Sequence, residues 1–265
     1  MKGVGVMEIA LTAERRLEKG QDVICPVILD YEYKVLDPDD EKVMIDTAEC
    51  LAETFAGTYI DGVRVSEPMV NACNLSKEAM FEFTMGYLKN VADQGLCYVA
   101  LDRETGRVVG ALACEDFNPD EEPPVFEGDL EPMNIIIPFL TDLDERLVNT
   151  IHAKTGKRPT RNEYIHTFMA GVRLGKLKRF VVIRMFDMLI KEGRKRGYKG
   201  MFGEATNFKS MKMMTEYSGF HPVYDLSGKP ILSLYSEHEV FKSIPPEIST
   251  DCRILYRPLF PEYDI

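Results

Sequence analysis

The sequence predicts a mixed α/β fold, and three features of the 265-residue chain support this. Strand-like and helix-like segments alternate along the chain, as they do in α/β proteins. The runs LCYVALD and RVVGALACEDF, separated by RETG, predict a β-hairpin, because Gly106 can adopt the backbone conformation that the turn needs. The apolar run YIHTFMAGV at 164–172 predicts a central strand buried on both faces, and the helix-like segment RFVVIRMFDMLIKEGRKRG follows it.

In the first half of the chain, the pattern predicts a strand, two helices and the hairpin. YEYKVL at 31–36 alternates bulky and polar residues, which is typical of a half-buried strand. Apolar residues at helical spacing then predict one helix after the aspartates of DPDD and a second after Ser76, which can cap it. We interpret residues 1–30 as an N-terminal extension with a peripheral amphipathic helix within 1–22.

The second half of the chain predicts a helix, the central strand, and then helix, strand, helix and two strands. The acidic, proline-rich stretch NPDEEPPVFEGDLEP predicts an exposed loop, and an amphipathic helix with Pro138 in its first turns follows. We interpret 116–160 as a loop-helix insertion inside a single domain spanning 1–265. Gly197 and Gly219 are placed to end the two later helices, and the patterns of KGMFGEAT, FHPVYDL and CRILYRPL predict strands.

Charge and composition exclude several classes of partner. The chain has 32 Lys and Arg against 43 Asp and Glu, a net charge of −11. Such a negative field repels phosphate backbones and anionic lipids and attracts amines, so we expect neither nucleic acid nor a membrane as partner. The six cysteines lack metal-like spacing and are interpreted as reduced core thiols. No run of about 18 apolar residues and no leader-like segment occurs, so we expect a cytoplasmic protein.

The stretch AGVRLGKLKRFVVIRMF at 170–186, called the basic elbow below, leads from the central strand into a helix. It contains five basic residues and no acidic one. Unpaired N–H groups and the helix dipole at such a helix start favour an anion. Together with Arg173, Lys176, Lys178 and Arg179, they predict a polyphosphate site. The charges alone leave a solvated basic loop open as the alternative. No Walker lysine or GxGxxG motif is present.

The order of hairpin, strand, basic elbow, helix, short strand and N-x-x-S…GF segment resembles the GNAT family of acyl-CoA-dependent N-acetyltransferases. The resemblance extends over residues 30–258 and is most specific over 164–224. It implies a central, twisted, mixed but mostly antiparallel sheet of six to seven strands with helices on both faces. It also implies acetyl-CoA as co-substrate, with its pyrophosphate on the elbow amides and its pantetheine between the strands at 164–172 and 200–205.

The co-substrate-binding positions that the resemblance implies lie on the central strand, at the elbow and in the segment after the next strand. They are Met169, Ala170, Gly171, Val172, Lys176, Leu177, Lys178, Arg179, Phe180, Val181, Val182, Asn207 and Ser210. The hexad LKRFVV at 177–182 has no glycine where the family pattern is Q/R-x-x-G-x-G/A. Bulky Phe180 and Val182 must therefore point away from the phosphate.

The chain also resembles the arylalkylamine N-acetyltransferase-like branch of the family, whose extra helix matches 133–154. SEPMVN at 66–71 is similar to an EPLN-like loop of that branch, which implies that Glu67 is the general base and holds the cationic amine. A loop glutamate without catalytic role is the alternative. A bulge near Met169–Ala170 would free N–H groups to stabilise the oxyanion.

The remaining site assignments are hydroxyl groups and a histidine. Ser210 and Tyr217 are the candidates for the catalytic proton donor, because the family's usual tyrosine position is Thr215 here; capping and packing are their alternative roles. Asn207 also lies one residue further from Gly219 than in the family. His166 is a candidate substrate contact or a hydrogen-bonded core histidine. The four histidines share no metal-ligand spacing, so we expect no metal.

Two functions follow from these features. The first is direct transfer of an acetyl group from acetyl-CoA to a primary amine of an arylalkylamine- or polyamine-like small molecule, by a monomer or a homodimer. The second is a catalytically weak GNAT-fold protein that binds acyl-CoA or serves as an interaction module. The glycine-free elbow and Thr215 favour the second function, whereas Glu67, the elbow cations and the acidic charge favour the first.

Overall fold

The structure is a computed structural model that describes residues 30–60, 63–173 and 178–265, without the side chains of 58–60, 63–64 and 178–179. The helix expected within 1–22 lies outside the described residues, as does Cys25. In the described part of the chain the strands are β1 (Tyr31–Val35), β2 (Thr58–Ile60), β3 (Val63–Val65), β4 (Tyr98–Asp102), β5 (Val108–Asp116), β6 (Tyr164–Val172), β7 (Gly200–Ala205), β8 (His221–Pro222), β9 (Leu232–Leu234) and β10 (Asp251–Pro258).

Eight of these strands form one mixed, mostly antiparallel sheet, as predicted, with one or two more strands than expected. Its order is β1-β4-β5-β6-β7-β10-β8, with β9 beside β10, whereas β2 and β3 form a separate hairpin. The parallel pair is β6 and β7, whose register joins Tyr164–His166 to Gly200–Phe202 over three residue pairs. The predicted β4–β5 hairpin is confirmed, and Gly106 in its turn has a φ of 68°.

Six α-helices accompany the sheet in the described residues. They are α1 (Glu41–Ala56), α2 (Pro68–Ala72), α3 (Lys77–Val91), α4 (Met133–Thr155), α5 (Lys178–Arg196) and α6 (Phe208–Lys212). Strand β5 shows how they divide between the faces: Val108 and Ala111 belong to a core cluster with α1, α3 and α4, whereas Leu112 and Cys114 belong to a cluster with α5. The alternation of strand side chains thus produces two cores, one on each side of the sheet.

The helix boundaries follow the predicted caps. The Asp40 carboxylate accepts a hydrogen bond from the Val43 amide at the start of α1, and the Ser76 hydroxyl accepts one from the Ala79 amide at the start of α3. Such side-chain acceptors satisfy amides that have no partner within the helix. In the described part of the chain, no helix is both long enough and apolar enough to cross a bilayer.

Three segments differ from their predicted structure. The loop expected between α1 and α3 contains the β2–β3 hairpin and α2. The strand expected over 220–226 shortens to His221–Pro222, because Pro222 has no N–H to donate and a turn begins at Asp225. The single helix expected over 207–219 is α6 followed by a π-helical turn, Met213–Tyr217.

Candidate active site

A large cavity opens where β6 and β7 separate. Its volume is about 1310 Å³, and its wall includes parts of α1 to α6 and the segment 243–248. The hydroxyl of Thr167 donates a hydrogen bond of 2.8 Å to the Phe202 carbonyl, just beyond the three parallel pairs of β6 and β7. Beyond this bond the edge of β6 lines the cavity and, among the described residues, pairs with no strand on that side.

Strand β6 carries a bulge at Phe168. Ala113 of β5 pairs with Met169, but the next residue, Cys114, pairs with Thr167, so Phe168 has no partner on β5. The bulge lies one residue before the position expected near Met169–Ala170. Bulges of this kind bend a strand and are common beside active sites. Met169, Ala170, Gly171 and Val172 all contribute to the cavity wall.

Glu67 lies in the cavity wall at the start of α2. Its Oε2 atom accepts a hydrogen bond of 2.7 Å from the Val70 amide, which makes the glutamate the N-cap of the helix, and Pro68 follows at the first helical position. The Glu67 amide donates to the Phe55 carbonyl at 2.9 Å, so the backbone at Glu67 is tied to the end of α1. The end of α1 and the segment before Glu67 can approach this closely because residue 57 is glycine. A Cβ atom there would lie 2.3 Å from the Val65 carbonyl oxygen.

The Glu67 carboxyl is set up to exchange a proton. Its second oxygen, Oε1, is buried and accepts no hydrogen bond within the described part of the chain. Burial raises the pKa of Glu67 above its ordinary value, and the Val70 amide and Thr206 hydroxyl oppose this only in part. A carboxylate with a raised pKa and a free oxygen can take a proton from a molecule in the cavity.

The segment that follows β7 forms another part of the wall. Asn207 and Ser210 form a capping box, in which the Ser210 amide donates to the Asn207 side chain and the Asn207 amide donates to the Ser210 hydroxyl oxygen. The Ser210 hydroxyl in turn donates to the Asn207 carbonyl at 2.9 Å. Both residues line the cavity, but the hydroxyl proton of Ser210 is engaged in the cap.

Tyr217 reaches the cavity from the π-helical turn Met213–Tyr217. A π turn contains one residue more per turn than an α turn. It therefore accommodates the additional residue between Asn207 and Gly219 that the sequence shows relative to the family pattern. Of the two hydroxyl candidates, Ser210 is the one whose oxygen belongs to a helix cap.

The basic elbow is only partly described. Lys176 and Leu177 lie outside the described residues, and Lys178 and Arg179 begin α5 with undescribed side chains. Phe180, Val181 and Val182 are all buried, but of the three only Val182 lines the cavity. Phe180 therefore points away from the cavity as expected, whereas Val182, of which the same was expected, does not.

The charge of Arg173 was assigned to the phosphate site, and the structure corrects this interpretation. The guanidinium group contacts Asp46 at 2.7 Å and Glu53 at 2.8 Å, both on α1, with Glu49 at 3.6 Å. Three carboxylates around one cation neutralise it. Arg173 therefore fixes the end of β6 to α1 and brings no net positive charge to the elbow.

His166 is buried below the cavity, and sequence analysis missed its partners. Its Nδ1 lies 2.8 Å from Glu115 Oε1 and its Nε2 lies 3.1 Å from Glu204 Oε2, whereas Asp144 of α4 completes the cluster. His166 is not among the residues of the cavity wall, but Glu204 is, so the contact of His166 with the cavity is indirect. An acidic residue inside the apolar strand GMFGEA was the one sequence feature that pointed to this cluster.

The members of this cluster shift one another's pKa values. Burial alone would lower the pKa of His166, but the carboxylates of Glu204 and Glu115 outweigh it and raise that pKa well above its ordinary value. Burial would raise the pKa of Glu204, but the imidazolium outweighs it and lowers that pKa. Burial and the charge of Glu204 both raise the pKa of Asp144. The pKa values of His166 and Asp144 are therefore raised while that of Glu204 is lowered, so the cluster favours the charged histidine, the ionised Glu204 and the protonated Asp144.

Comparisons with known proteins identify the fold. No family model and no curated protein sequence matches the chain. Arylalkylamine N-acetyltransferase 2 from Aedes aegypti is 15% identical, with a TM-score of 0.64 over 87% of this chain and 100% of that one. The C-terminal condensation domain of Ebony in complex with β-alanyl-dopamine is 14% identical (TM-score 0.58; 86% and 98% covered). An agmatine N-acetyltransferase is 16% identical (TM-score 0.51; 86% and 100% covered). These likenesses show a GNAT N-acetyltransferase fold and confirm the predicted fold.

Proposed function

We propose that the chain transfers an acetyl group from acetyl-CoA directly to the primary amine of a small molecule of the arylalkylamine or polyamine kind. The observation that carries this proposal is Glu67, whose buried Oε1 has no hydrogen-bond partner among the described residues and whose side chain lines the cavity. The arylalkylamine and agmatine N-acetyltransferases that share the fold support amines as acceptors. The acidic net charge of −11 also favours a cationic acceptor.

Glu67 is the general base in this proposal. An alkylamine is mostly protonated at neutral pH and must lose a proton before it can attack a carbonyl carbon. The Glu67 carboxylate holds the ammonium group and takes its proton, directly or through water, aided by the raised pKa of the carboxyl. The freed nitrogen then forms the C–N bond of the amide as the C–S bond of the thioester breaks.

The cavity suits acetyl-CoA, which supplies the acyl group as an activated thioester. The edge of β6 from Met169 to Val172 offers backbone groups for the pantetheine amides. The first amides of α5 lack partners within the helix and suit the pyrophosphate. Phe180 and Val181 lie outside the cavity wall, so their side chains leave those amides accessible, whereas the Val182 side chain lies beside the coenzyme in this proposal.

Tyr217 is the proton donor to the departing thiolate in this proposal. It lines the cavity, and the π turn sets its position. Ser210 is the weaker candidate, because its proton is donated to the Asn207 carbonyl. His166 does not line the cavity, so it neither contacts the acceptor nor takes part in the transfer.

The experiment is acetylation of an amine panel that includes phenethylamine, tryptamine, agmatine and spermidine. The rate is measured from the release of the CoA thiol. We expect Glu67→Gln to lower kcat/KM about 100-fold or more, the usual contribution of a general base. The melting-temperature rise caused by acetyl-CoA should persist in this variant, because Glu67 holds the acceptor and not the coenzyme. Glu82→Gln, an exposed substitution on α3, is the matched control and should leave the rate unchanged.

Three outcomes would count against the proposal. Equal rates for the wild type and Glu67→Gln at every pH would remove the role of Glu67. A melting-temperature rise with acetyl-CoA but no transfer to any amine would support the acyl-CoA-binding module instead. The absence of any shift with millimolar acetyl-CoA would remove both functions.

A further inference from the structure

Below the cavity, a histidine and three carboxyl groups converge from four different elements. Glu115 comes from β5, Asp144 from α4, His166 from β6 and Glu204 from β7. One ligand atom from each of Asp144, His166 and Glu204 lies within 4.8 Å of the other two. No step of the acetyl transfer uses this cluster, although Glu204 connects it to the cavity wall.

We propose that Asp144, His166 and Glu204 form a binding site for a divalent metal ion of the Zn²⁺ type. One imidazole and two carboxylates are a ligand set that suits Zn²⁺, Mn²⁺ or Fe²⁺. Zn²⁺ suits it best, since three protein ligands leave a fourth, tetrahedral position for water from the cavity.

Two buried carboxyl oxygens favour a bound cation. Glu204 Oε1 and Asp144 Oδ1 accept no hydrogen bond from an N–H group or hydroxyl of a described residue, although the two carboxyl groups interact with each other, and the Glu204 side chain is only 3% exposed. A buried carboxylate oxygen without a partner is unfavourable, so a proton shared between the two groups or a bound cation must compensate it. An ion between the three ligands would compensate the buried charge of both carboxyl groups at once.

Glu115 prepares the histidine for this role. Its carboxylate lies 2.8 Å from His166 Nδ1, and an N–H donated there leaves Nε2 as the ligand atom. Metal-binding histidines are commonly oriented by such a carboxylate. The Phe202 ring stacks on the imidazole at 4.9 Å between centroids and holds its orientation.

The distances require only a small closure. Zn²⁺ holds nitrogen and oxygen ligands at about 2.0–2.2 Å, so two tetrahedral ligands lie about 3.4 Å apart. His166 Nε2 and Glu204 Oε2 are 3.1 Å apart. The most distant pair, at no more than 4.8 Å, must approach by at most about 1.4 Å, which side-chain rotation can supply.

The test titrates the full chain, freed of metal with EDTA and desalted, with ZnCl₂ by calorimetry and with CoCl₂ by visible absorption. We expect saturable binding of one ion per chain at pH 7, and weaker binding at lower pH, where protons compete with the metal for its ligands. Glu204→Gln and Asp144→Asn should each weaken Zn²⁺ binding roughly tenfold or more. Glu82→Gln should bind as the wild type does.

A second measurement avoids variants that fold poorly. In a long-range ¹H–¹⁵N spectrum of the four histidines of the wild type, Zn²⁺ should shift one imidazole and abolish its titration. No saturable binding, unchanged affinity in both Glu204→Gln and Asp144→Asn, or four unshifted imidazoles would mean that protons alone occupy the cluster. Any of these results would overturn the proposal.

Discussion

Glu67 and Glu204 line the same cavity, and their surroundings move their pKa values in opposite directions. Burial raises the pKa of Glu67, whose hydrogen bonds come from neutral groups. Burial acts on Glu204 too, but the His166 imidazolium outweighs it and lowers that pKa. The two glutamates therefore differ in how readily they accept a proton. Glu67 accepts one more readily than an ordinary glutamate, and Glu204 accepts one less readily.

The difference shows that the nearest charge, more than burial, decides what a cavity glutamate can do. Neutral donors such as the Val70 amide orient the Glu67 carboxyl but do not remove the penalty of burying its charge. A buried cation offsets that penalty and also prevents the carboxylate from taking another proton. Pairs of carboxyls with opposed pKa shifts are a recurrent feature of acid–base sites.

The largest expected effect that separates the two glutamates is on stability. At pH 7, Glu204→Gln should lower the free energy of unfolding by about 3 kcal/mol, because it leaves the buried imidazolium with Glu115 alone. Glu67→Gln should change it by less than about 1 kcal/mol, because glutamine can still accept the Val70 hydrogen bond. Urea unfolding followed by circular dichroism measures both. An equal loss of unfolding free energy in the two variants would contradict this difference between the two glutamates.

A smaller effect is the pH dependence of stability between about pH 4 and 6, where histidine is protonated in the folded and unfolded states. Glu67 binds its proton more tightly when folded, so its contribution to stability falls as the pH rises above the unfolded pKa. Glu204 binds its proton less tightly when folded, so its contribution is present above the unfolded pKa and is lost as the pH falls.

As the pH rises across this window, the stability of the wild type should fall relative to Glu67→Gln. In an Asp144→Asn background, which removes the coupled titration of Asp144, stability should rise relative to the same protein with Glu204→Gln. Unfolding curves of the four proteins at matched pH values test the two slopes. Slopes of the same sign would contradict the assigned pKa directions.

The smallest expected effect concerns Thr206, whose hydroxyl opposes the raised pKa of Glu67. In Thr206→Val that pKa should rise further, so the acidic limb of the kcat/KM profile should move to higher pH. A hydrogen bond worth about 1 kcal/mol implies a shift of somewhat less than one pH unit. Thr141→Val on α4, outside the cavity wall, is the control and should leave the profile in place. A shift to lower pH would exclude this role of Thr206.

Most of the sheet and the longer helices could be predicted because apolar periodicity records which face of each element is buried. The SEPMVN motif also led to Glu67, which lines the cavity as that prediction requires. The buried cluster could not be predicted, since Asp144, His166 and Glu204 lie far apart in the chain and meet only through the sheet order and α4.

Arg173 illustrates a second limit of sequence analysis. Its position in a run of basic residues suggested a phosphate contact, but its partners, Asp46 and Glu53, lie on α1, more than a hundred residues away in sequence. A run of like charges does not reveal which member is neutralised by a distant element. The sequence therefore predicted that the basic elbow is positively charged, but not how many of its cations could bind a phosphate group.

The π turn at Met213–Tyr217 makes the position of Tyr217 depend on chain length as well as on residue type. Deletion of one residue from this turn would let the segment close as an ordinary α-helix. Tyr217 would then rotate by about 100° around the helix axis relative to Asn207. A single-residue insertion or deletion, with every side chain of the cavity otherwise retained, is thus enough to bring a hydroxyl group into the cavity or take it away.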